Sequence, residues 1–500
     1  MKNSNNSFIL IIIIILVFSM AARTPMDSDM WWHLRAGEET VTSGRPYLVD
    51  TLSYTRYGEK WVSHGWLTEA LMYILFKAGG FLALSALVAA TASISMAILF
   101  LHMDGSPLFK AFLIVLGCMI AAPTWAPRPQ ILSLVLLAIT SFILHHFKTK
   151  KKDYLWVFVP LFILWSNLHG GYTLGLMLIG VTITGEAINH MLHPAEEPVL
   201  KWRQIGKLTL FAILSGCAAL INPNGFSTWL VPFKTVVMES NQWITEWSSP
   251  DFHQFSQQPF LWMIFLFLAA TGWSGKKIDA TDLLAFSWFA FLGFMAKRNF
   301  GPFAVVSLPI AARYIWCMSQ ELSKQSPLLR NWISWLDERQ RKPGQVESKE
   351  RFKFRPILNA GMVSVLALTG IVKLIMVTTP ISIQTAEELF FPVRAVEYIQ
   401  QQSPPGNLLN EYSWGGYLTF HLREYPVYID ARADLFGDEI IEEWASIVMA
   451  ENSWNTALDQ YEVNLVLLQP DRPLTRELAW QGWITGYADD MAVVLIRPSQ

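Results

Sequence analysis

A chain of 500 residues that is 52% hydrophobic and 16% charged, with a mean hydropathy of +0.30, is excluded from the class of ordinary soluble globules and reads as a polytopic membrane protein. Its net charge of −2 leaves no basic excess, so no nucleic-acid partner is expected. Cys118, Cys217 and Cys317 all fall within apolar runs, which leaves the hydrophilic parts without a thiol for a disulfide or a cysteine-based zinc site.

Taken in chain order, apolar runs at 8–22, 81–101, 108–123, 131–147, 154–165, 172–191, 208–221, 260–272, 283–296, 303–318 and 357–377 predict about eleven transmembrane helices, against the roughly 20 residues a crossing needs. The first run follows Lys2 and ends in Ala21 and Ala22; it reads as a retained helix, with a cleaved leader as the alternative. Basic residues gather in alternate loops: Lys148 and Lys150 to Lys152; Lys201, Arg203 and Lys207; Lys276 and Lys277; and the stretch from Lys324 to Arg355. The positive-inside rule makes these loops cytoplasmic, starts the N-terminus inside and puts the segment after Val377 outside. Many of the 22 tryptophans stand near the ends of the apolar runs, where amphipathic rings anchor at the interface.

The first outer loop, 23–80, opens on Asp27, Ser28 and Asp29, followed by Trp31, Trp32 and His33. Within it, Trp66, Leu67, Ala70, Leu71, Ile74 and Leu75 have helical spacing, which predicts an amphipathic helix over 61–76 lying on the membrane. In the basic stretch at 319–355, Leu328, Leu329, Trp332, Ile333 and Trp335 predict an interfacial helix on the inner leaflet. Beyond a transmembrane part at 1–379, composition changes to that of a soluble α/β domain at 380–500. Its predicted strands are 407–410, 426–430, 463–469 and 492–497, with helices at 392–401 and 438–450.

This topology carries the unusual polar residues to one side. They are Asp27, Asp29, His33, His64 and Glu69 of the first outer loop, Arg128 between two prolines, Asn167 and His169, Asn222 and Asn224, Glu246 and Trp247, and Lys297, Arg298 and Asn299. An outward cation in apolar surroundings costs at least about 2.5 to 3.5 kcal/mol at bilayer depth, so Arg128, Lys297 and Arg298 need partners. A lipid phosphate is one such partner; the acids Asp27, Asp29 and Glu246 are the other. Asp27 and Asp29 could cap a following helix or serve a site, and His169 or Asn222 could simply close turns. Glu186 and Lys373 read as a packing residue and a snorkelling residue.

An acidic motif directly after the first helix, a long first outer loop and a C-terminal outer domain together resemble the GT-C superfamily, integral-membrane glycosyltransferases that use polyprenyl-phosphate-linked sugars. The strings DSDMWWHLRAG, WVSHGWLTEALMY, RPQILS, NLHGG, INPNG, TEWSSPDF, WGGYL and PVYIDARADLFG look like a bacterial branch of such proteins. The tetrapeptide Trp414, Gly415, Gly416, Tyr417 is similar in part to the WWDYG acceptor motif of oligosaccharyltransferases but lacks its acid.

The resemblance implies a bacterial inner-membrane enzyme that transfers a sugar, with inversion, from a polyprenyl-phosphate donor to a glycan or protein acceptor. It makes Asp27 or Asp29 the general base or a ligand for Mg²⁺ or Mn²⁺. Substrate contacts would come from Trp32, His33, His64, Arg128, His169, Glu246, Lys297, Arg298, Trp414 and Tyr417. A noncatalytic envelope protein that binds glycan, or a lipid-linked glycan transporter, are the alternatives.

Overall fold

The computed structural model describes residues 2–193, 198–239, 244–327, 330–331, 349–451 and 453–498. In chain order its longer helices are α1 (Lys2–Ala21), α2 (Met30–Ser43), α3 (Trp66–His102), α4 (Pro107–Ala121), α5 (Gln130–Thr149), α6 (Phe158–Leu168), α7 (Tyr172–Leu192), α8 (Trp202–Ala218), α9 (Ser227–Val237), α10 (Gln258–Trp273), α11 (Ala280–Met295), α12 (Phe300–Gln325) and α13 (Lys349–Val377). Each expected apolar run falls on one of these helices. Six helices of the described residues are long and apolar enough to cross a membrane: α3, α4 with its continuing turn, α5, α7, Lys297–Gln325 and Pro356–Val377. Three shorter apolar helices, Asn6–Ala21, Leu155–Leu168 and Ala280–Met295, accompany them. The predicted interfacial residues Leu328, Leu329, Trp332, Ile333 and Trp335 lie outside the described residues.

Two departures from the sequence reading shape the first loop. The amphipathic helix expected over 61–76 is the first part of α3, which continues past a kink at Gly80 (φ 57°, ψ −146°) into an apolar crossing. That backbone region is open to glycine at little cost, so Gly80 interrupts the helical geometry and joins two helical parts across a kink. Residues 30–43 form the helix that Asp27 and Asp29 could precede, although no apolar periodicity marked its extent, and Gly44 in the left-handed region closes it (φ 66°). Its apolar face carries Met30, Trp31, Leu34 and Ala36, all buried.

The C-terminal part adds α14 (Pro380–Phe390), α15 (Val393–Gln402), α16 (Gly415–His421), α17 (Ala433–Val448), α18 (Trp454–Gln460) and α19 (Pro473–Trp480) to a four-stranded sheet. The strands β1 (Asn407–Asn410), β2 (Val463–Leu468), β3 (Ile484–Ala488) and β4 (Val493–Ile496) lie in the order β1-β2-β4-β3. β1 runs parallel to β2, and β4 is antiparallel to β2 and β3. The expected strand at 426–430 is an extended segment with isolated bridges from Val427 to Ser53 and Leu408. The Asn410 side chain takes up its backbone instead, accepting from Tyr428 N at 2.9 Å and donating to Ile429 O at 2.8 Å. β3 escaped the sequence reading because Gly486 and a bulge between Thr485 and Tyr487 interrupt its alternation.

The C-terminal part does not stand apart from the first loop. Trp32, Ala36, Tyr47, Leu52 and Trp61 share one core with Tyr428, Ile429 and Phe436, while Trp31 shares another with Phe391, Trp414 and Tyr417. Between them lies a fully buried ion cluster in which Arg432 meets Asp430 at 2.7 Å and Asp50 of the first loop at 2.7 Å. The ring of Trp61 lies 5.2 Å from the same guanidinium. Asp50 also accepts the Ser53 hydroxyl at 2.6 Å and the Ser53 amide at 3.2 Å, so its remaining oxygen is satisfied. Removing one partner of a buried pair leaves the others without compensation and costs about 3 to 5 kcal/mol. Arg432→Ala is therefore expected to lower the unfolding temperature of the detergent-purified protein and to expose the first loop to protease; wild-type behaviour in both would remove Arg432 as the link.

Candidate functional site

Arg128 stands in the turn between α4 and α5, between Pro127 and Pro129, two residues whose fixed φ stiffens the segment. Its Nε meets Asp27 Oδ1 at 2.5 Å, and its Nη1 meets Asp29 Oδ2 at 2.7 Å and Glu246 Oε2 at 2.8 Å. Asp27 and Asp29 sit immediately before α2, with the Asp29 amide donating to Asp27 Oδ1 at 2.9 Å. Asp29 occupies the N-cap position, but its side chain makes no capping bond and serves the arginine instead. Ser28 Oγ donates to its other oxygen at 3.2 Å.

Glu246 lies on the short turn Thr245–Trp247 and reaches Arg298 Nη1 at 3.5 Å, while the Arg298 guanidinium stacks 4.4 Å from the Trp247 ring. The backbone of Lys297 ties this turn down by donating to Ser248 O at 3.2 Å. No carboxylate pairs with the Lys297 side chain among the described residues. Of the three expected cations, Arg128 is enclosed by acids, Arg298 is half satisfied and Lys297 is free to meet an incoming anion.

The charges follow from this arrangement. Burial pushes the Asp29 carboxyl up to about 7 against the pull of Arg128, with Asp27 and Glu246 adding to the rise. Burial also disfavours a charged Glu246, yet Arg128 and Arg298 outweigh it and hold that carboxyl below its ordinary value. For Arg128, burial opposes the charge, but Asp27, Asp29 and Glu246 keep it firmly cationic. Two arginines thus answer three carboxyl groups, with burial holding Asp29 above its ordinary value and the two arginines holding Glu246 below it.

A histidine layer adjoins this cluster. His33 Nδ1 lies 3.0 Å from Glu69 Oε1, and Ser63 Oγ donates to the other Glu69 oxygen at 3.0 Å. Burial, then Arg128, His64 and His169, depress His33 well below the usual histidine range, so its ring is neutral. His169 Nδ1 accepts from the Gly171 amide at 2.9 Å, which places the ring proton on Nε2; burial and then His64 and Arg298 keep it neutral. His64 lies 5.7 Å from the His169 ring and 3.9 Å from Asp434. Asn222 closes its turn by accepting from Asn224 N at 2.9 Å.

Trp32, Trp414 and Tyr417 are placed differently. Trp32 is 5% exposed and its ring packs 3.5 Å from that of His33, while Trp414 and Tyr417 are 2% and 3% exposed in the core beneath α2. Tyr417 stacks on Phe391 at 4.7 Å and meets Trp31 edge-on at 5.4 Å. The residue near the cluster that sequence reasoning missed is Tyr412: its hydroxyl is buried without a hydrogen-bond partner among the described residues, and its ionisation is opposed by burial and then by Asp29, Asp430 and Glu246. Its place in the string that precedes the Trp414 tetrapeptide was the available clue.

The expected Mg²⁺ or Mn²⁺ does not fit these residues. Such ions need several oxygens arranged around a shared centre at about 2.0 to 2.2 Å, and here the facing oxygens of Asp27, Asp29 and Glu246 are directed at one guanidinium. Among the described residues, no group of three or more His, Cys, Asp or Glu is arranged to hold a metal ion. The structure also shows an apolar cavity of ≈ 400 Å³ between α3, α5 and residues 154–157 and one of ≈ 300 Å³ around Pro404 and Tyr425; the cluster lines neither.

No family model matches the sequence and no curated protein does, but solved structures match it over nearly its whole length. The oligosaccharyltransferase AglB of Archaeoglobus fulgidus, solved with an inhibitory peptide and a dolichol-phosphate, superposes with a TM-score of 0.59 at 11% identity, covering 94% of this chain and 70% of that one. ArnT of Cupriavidus metallidurans, bound to undecaprenyl phosphate, matches with a TM-score of 0.50 at 13% identity over 99% and 98% of the two chains. The chain has the GT-C fold. A further oligosaccharyltransferase structure of Archaeoglobus fulgidus, in the apo form, matches at 0.51 and 10% identity over 91% and 69%.

Within this GT-C chain, Gly416 decides how closely the C-terminal part approaches the acidic motif. A Cβ there would stand 2.6 Å from Ser28 O, a backbone atom that cannot swing aside. Overpacking of this kind costs about 1 to 3 kcal/mol. Gly416→Ala is expected to lower thermal stability in detergent by that order, whereas Gly180→Ala, whose Cβ would meet nothing within 4 Å, is expected to leave it unchanged or slightly raised. Equal melting of the two variants would contradict the close approach.

Proposed function

We propose that this protein is a membrane glycosyltransferase that moves a sugar from a polyprenyl-phosphate-linked donor to a glycan or protein acceptor on the outer face of a bacterial inner membrane. The observation that carries the reading is the convergence of Asp27, Asp29 and Glu246 on Arg128, with Arg298 beside them, at one end of the helical bundle; burial there also pushes the Asp29 carboxyl up to about 7. The GT-C fold supports it, as do the dolichol-phosphate and undecaprenyl phosphate held by two of the matching structures.

In the proposed step an acceptor O–H attacks the anomeric carbon as the bond from that carbon to the phosphate oxygen breaks, with inversion at carbon. The acceptor proton passes to Asp29, and the electron pair leaves with the polyprenyl phosphate. A hydroxyl is too weak an acid to attack unaided, and a base whose pKa lies near the working pH is the most effective one. Arg298 and Lys297, the cations least engaged by acids, receive the negative charge on the leaving phosphate. Asp27 and Glu246 hold Arg128, and Arg128 in turn positions Asp29. The Tyr412 hydroxyl, a donor without a partner, is available to the acceptor.

Asp29→Asn is expected to lower turnover about 10²- to 10⁴-fold with little effect on donor binding. Wild-type turnover should rise with pH through about 7 as Asp29 loses its proton, and that rise should vanish in the variant. Arg298→Ala should weaken donor binding as well as turnover, because a phosphate-binding cation acts in the ground state and the transition state alike. These are measured with purified protein and a panel of polyprenyl-phosphate sugars; wild-type-like rates in both Asp27→Asn and Asp29→Asn would end the catalytic reading.

The orientation is tested separately. In a variant without the native cysteines, an impermeant thiol reagent applied to intact spheroplasts is expected to label Gln481→Cys of the C-terminal part and to spare Gln325→Cys at the end of α12. The reverse pattern would turn the protein over in the membrane.

A further inference from the structure

We propose that Arg128 is the resident cation of this site, standing where the carboxylates would otherwise gather a divalent metal, so that the acidic motif works without Mg²⁺ or Mn²⁺. The inference deepens the transferase reading but rests on it only for what the carboxylates are needed to do.

Two segments far apart in sequence, one carrying Asp27 and Asp29 and the other Glu246, send three carboxylate oxygens to one guanidinium, at 2.5, 2.7 and 2.8 Å. These are distances for charge-assisted hydrogen bonds, about twice as strong as neutral ones. The guanidinium does not give up its proton in proteins, so the positive charge stays at every working pH, unlike that of a metal ion, which equilibrates with solvent. Its planar fork also imposes direction, setting Asp27 against Nε and both Asp29 and Glu246 against Nη1. For a metal to bind the same oxygens, the guanidinium would have to leave; if it stayed, a divalent ion would sit within a few ångströms of a like charge. Arg128 has no alternative place to go without exposing its charge to apolar surroundings, since α4 and α5 flank its turn and prolines fix it on both sides.

The consequence is specific. Removing the arginine charge should convert the cluster into a metal site, because three half-buried carboxyl groups then lack the cation they share. The test is a titration of purified full-length protein with Mn²⁺, followed by the electron paramagnetic resonance of free Mn²⁺ at pH 8. Wild-type protein is expected to leave the free signal unchanged at equimolar metal, and EDTA is expected to leave its melting temperature unchanged. Arg128→Gln is expected to take up about one Mn²⁺ per chain, with its melting temperature raised by the metal, and Asp27→Asn added to it should abolish that uptake.

Uptake of about one Mn²⁺ by wild-type protein that disappears in Asp27→Asn overturns the proposal, and this decides the matter even if Arg128→Gln does not fold. A folded Arg128→Gln that takes up no Mn²⁺ overturns it too. Because metal uptake is read without donor or acceptor, its outcome is independent of whether the transferase assay succeeds.

Discussion

The guanidinium of Arg128 is the constraint on which the site end of this molecule depends. An arginine at the margin of an apolar bundle is tolerated only with its charge compensated, and compensation here draws in the segment after α1 and the turn that holds Glu246. Because Glu246 also reaches Arg298, the segment leading into α12 joins the same network. Four stretches far apart in sequence are thereby held around one point, and burial there pushes the Asp29 carboxyl up against the pull of Arg128.

A second constraint acts from the opposite side. The first loop and the C-terminal part are stitched together by Arg432 between Asp430 and Asp50, and by the aromatic packing of Trp31 with Phe391 and Tyr417. Gly416 then lets α16 press on the Ser28 carbonyl. The acidic motif is thus clamped between the bundle, which supplies the arginine, and the C-terminal part, which supplies the ceiling and the unpartnered Tyr412 hydroxyl.

At the other end of the bundle, buried charge is handled by pairing alone. Lys148 meets Glu186 at 2.5 Å and Asp279 at 2.6 Å, and Arg313 meets Asp282 at 2.6 Å. Among the described residues, each of these two cations is met by two acids, Arg313 reaching Asp104 as well. At the site end Lys297 and Arg298 retain capacity, and this asymmetry distinguishes a site from a staple.

Much of this was legible in the residues themselves. Long apolar runs specify helices locally, because burying a run of such side chains depends on the run and not on its neighbours, and so every expected run lies on a helix. Loop charge then gathered Asp27, Asp29, Arg128, Glu246 and Arg298 on one side. The helix at 30–43 was hidden because its apolar residues crowd into the first turn, and the segment at 426–430 read as a strand because a β-like pattern does not reveal whether a ladder partner or an asparagine side chain will take its hydrogen bonds. Partner choice was beyond the sequence: Arg128 lies 101 residues from Asp27 and 118 from Glu246, and no local pattern records such a meeting. The sequence by itself determined an apolar helical bundle with the candidate site residues on loops of one side, since hydrophobicity and charge act residue by residue. Only the tertiary structure decided that three acids would converge on one arginine and leave another pair of cations open, because desolvation and Coulomb energy depend on distances that the completed fold alone sets.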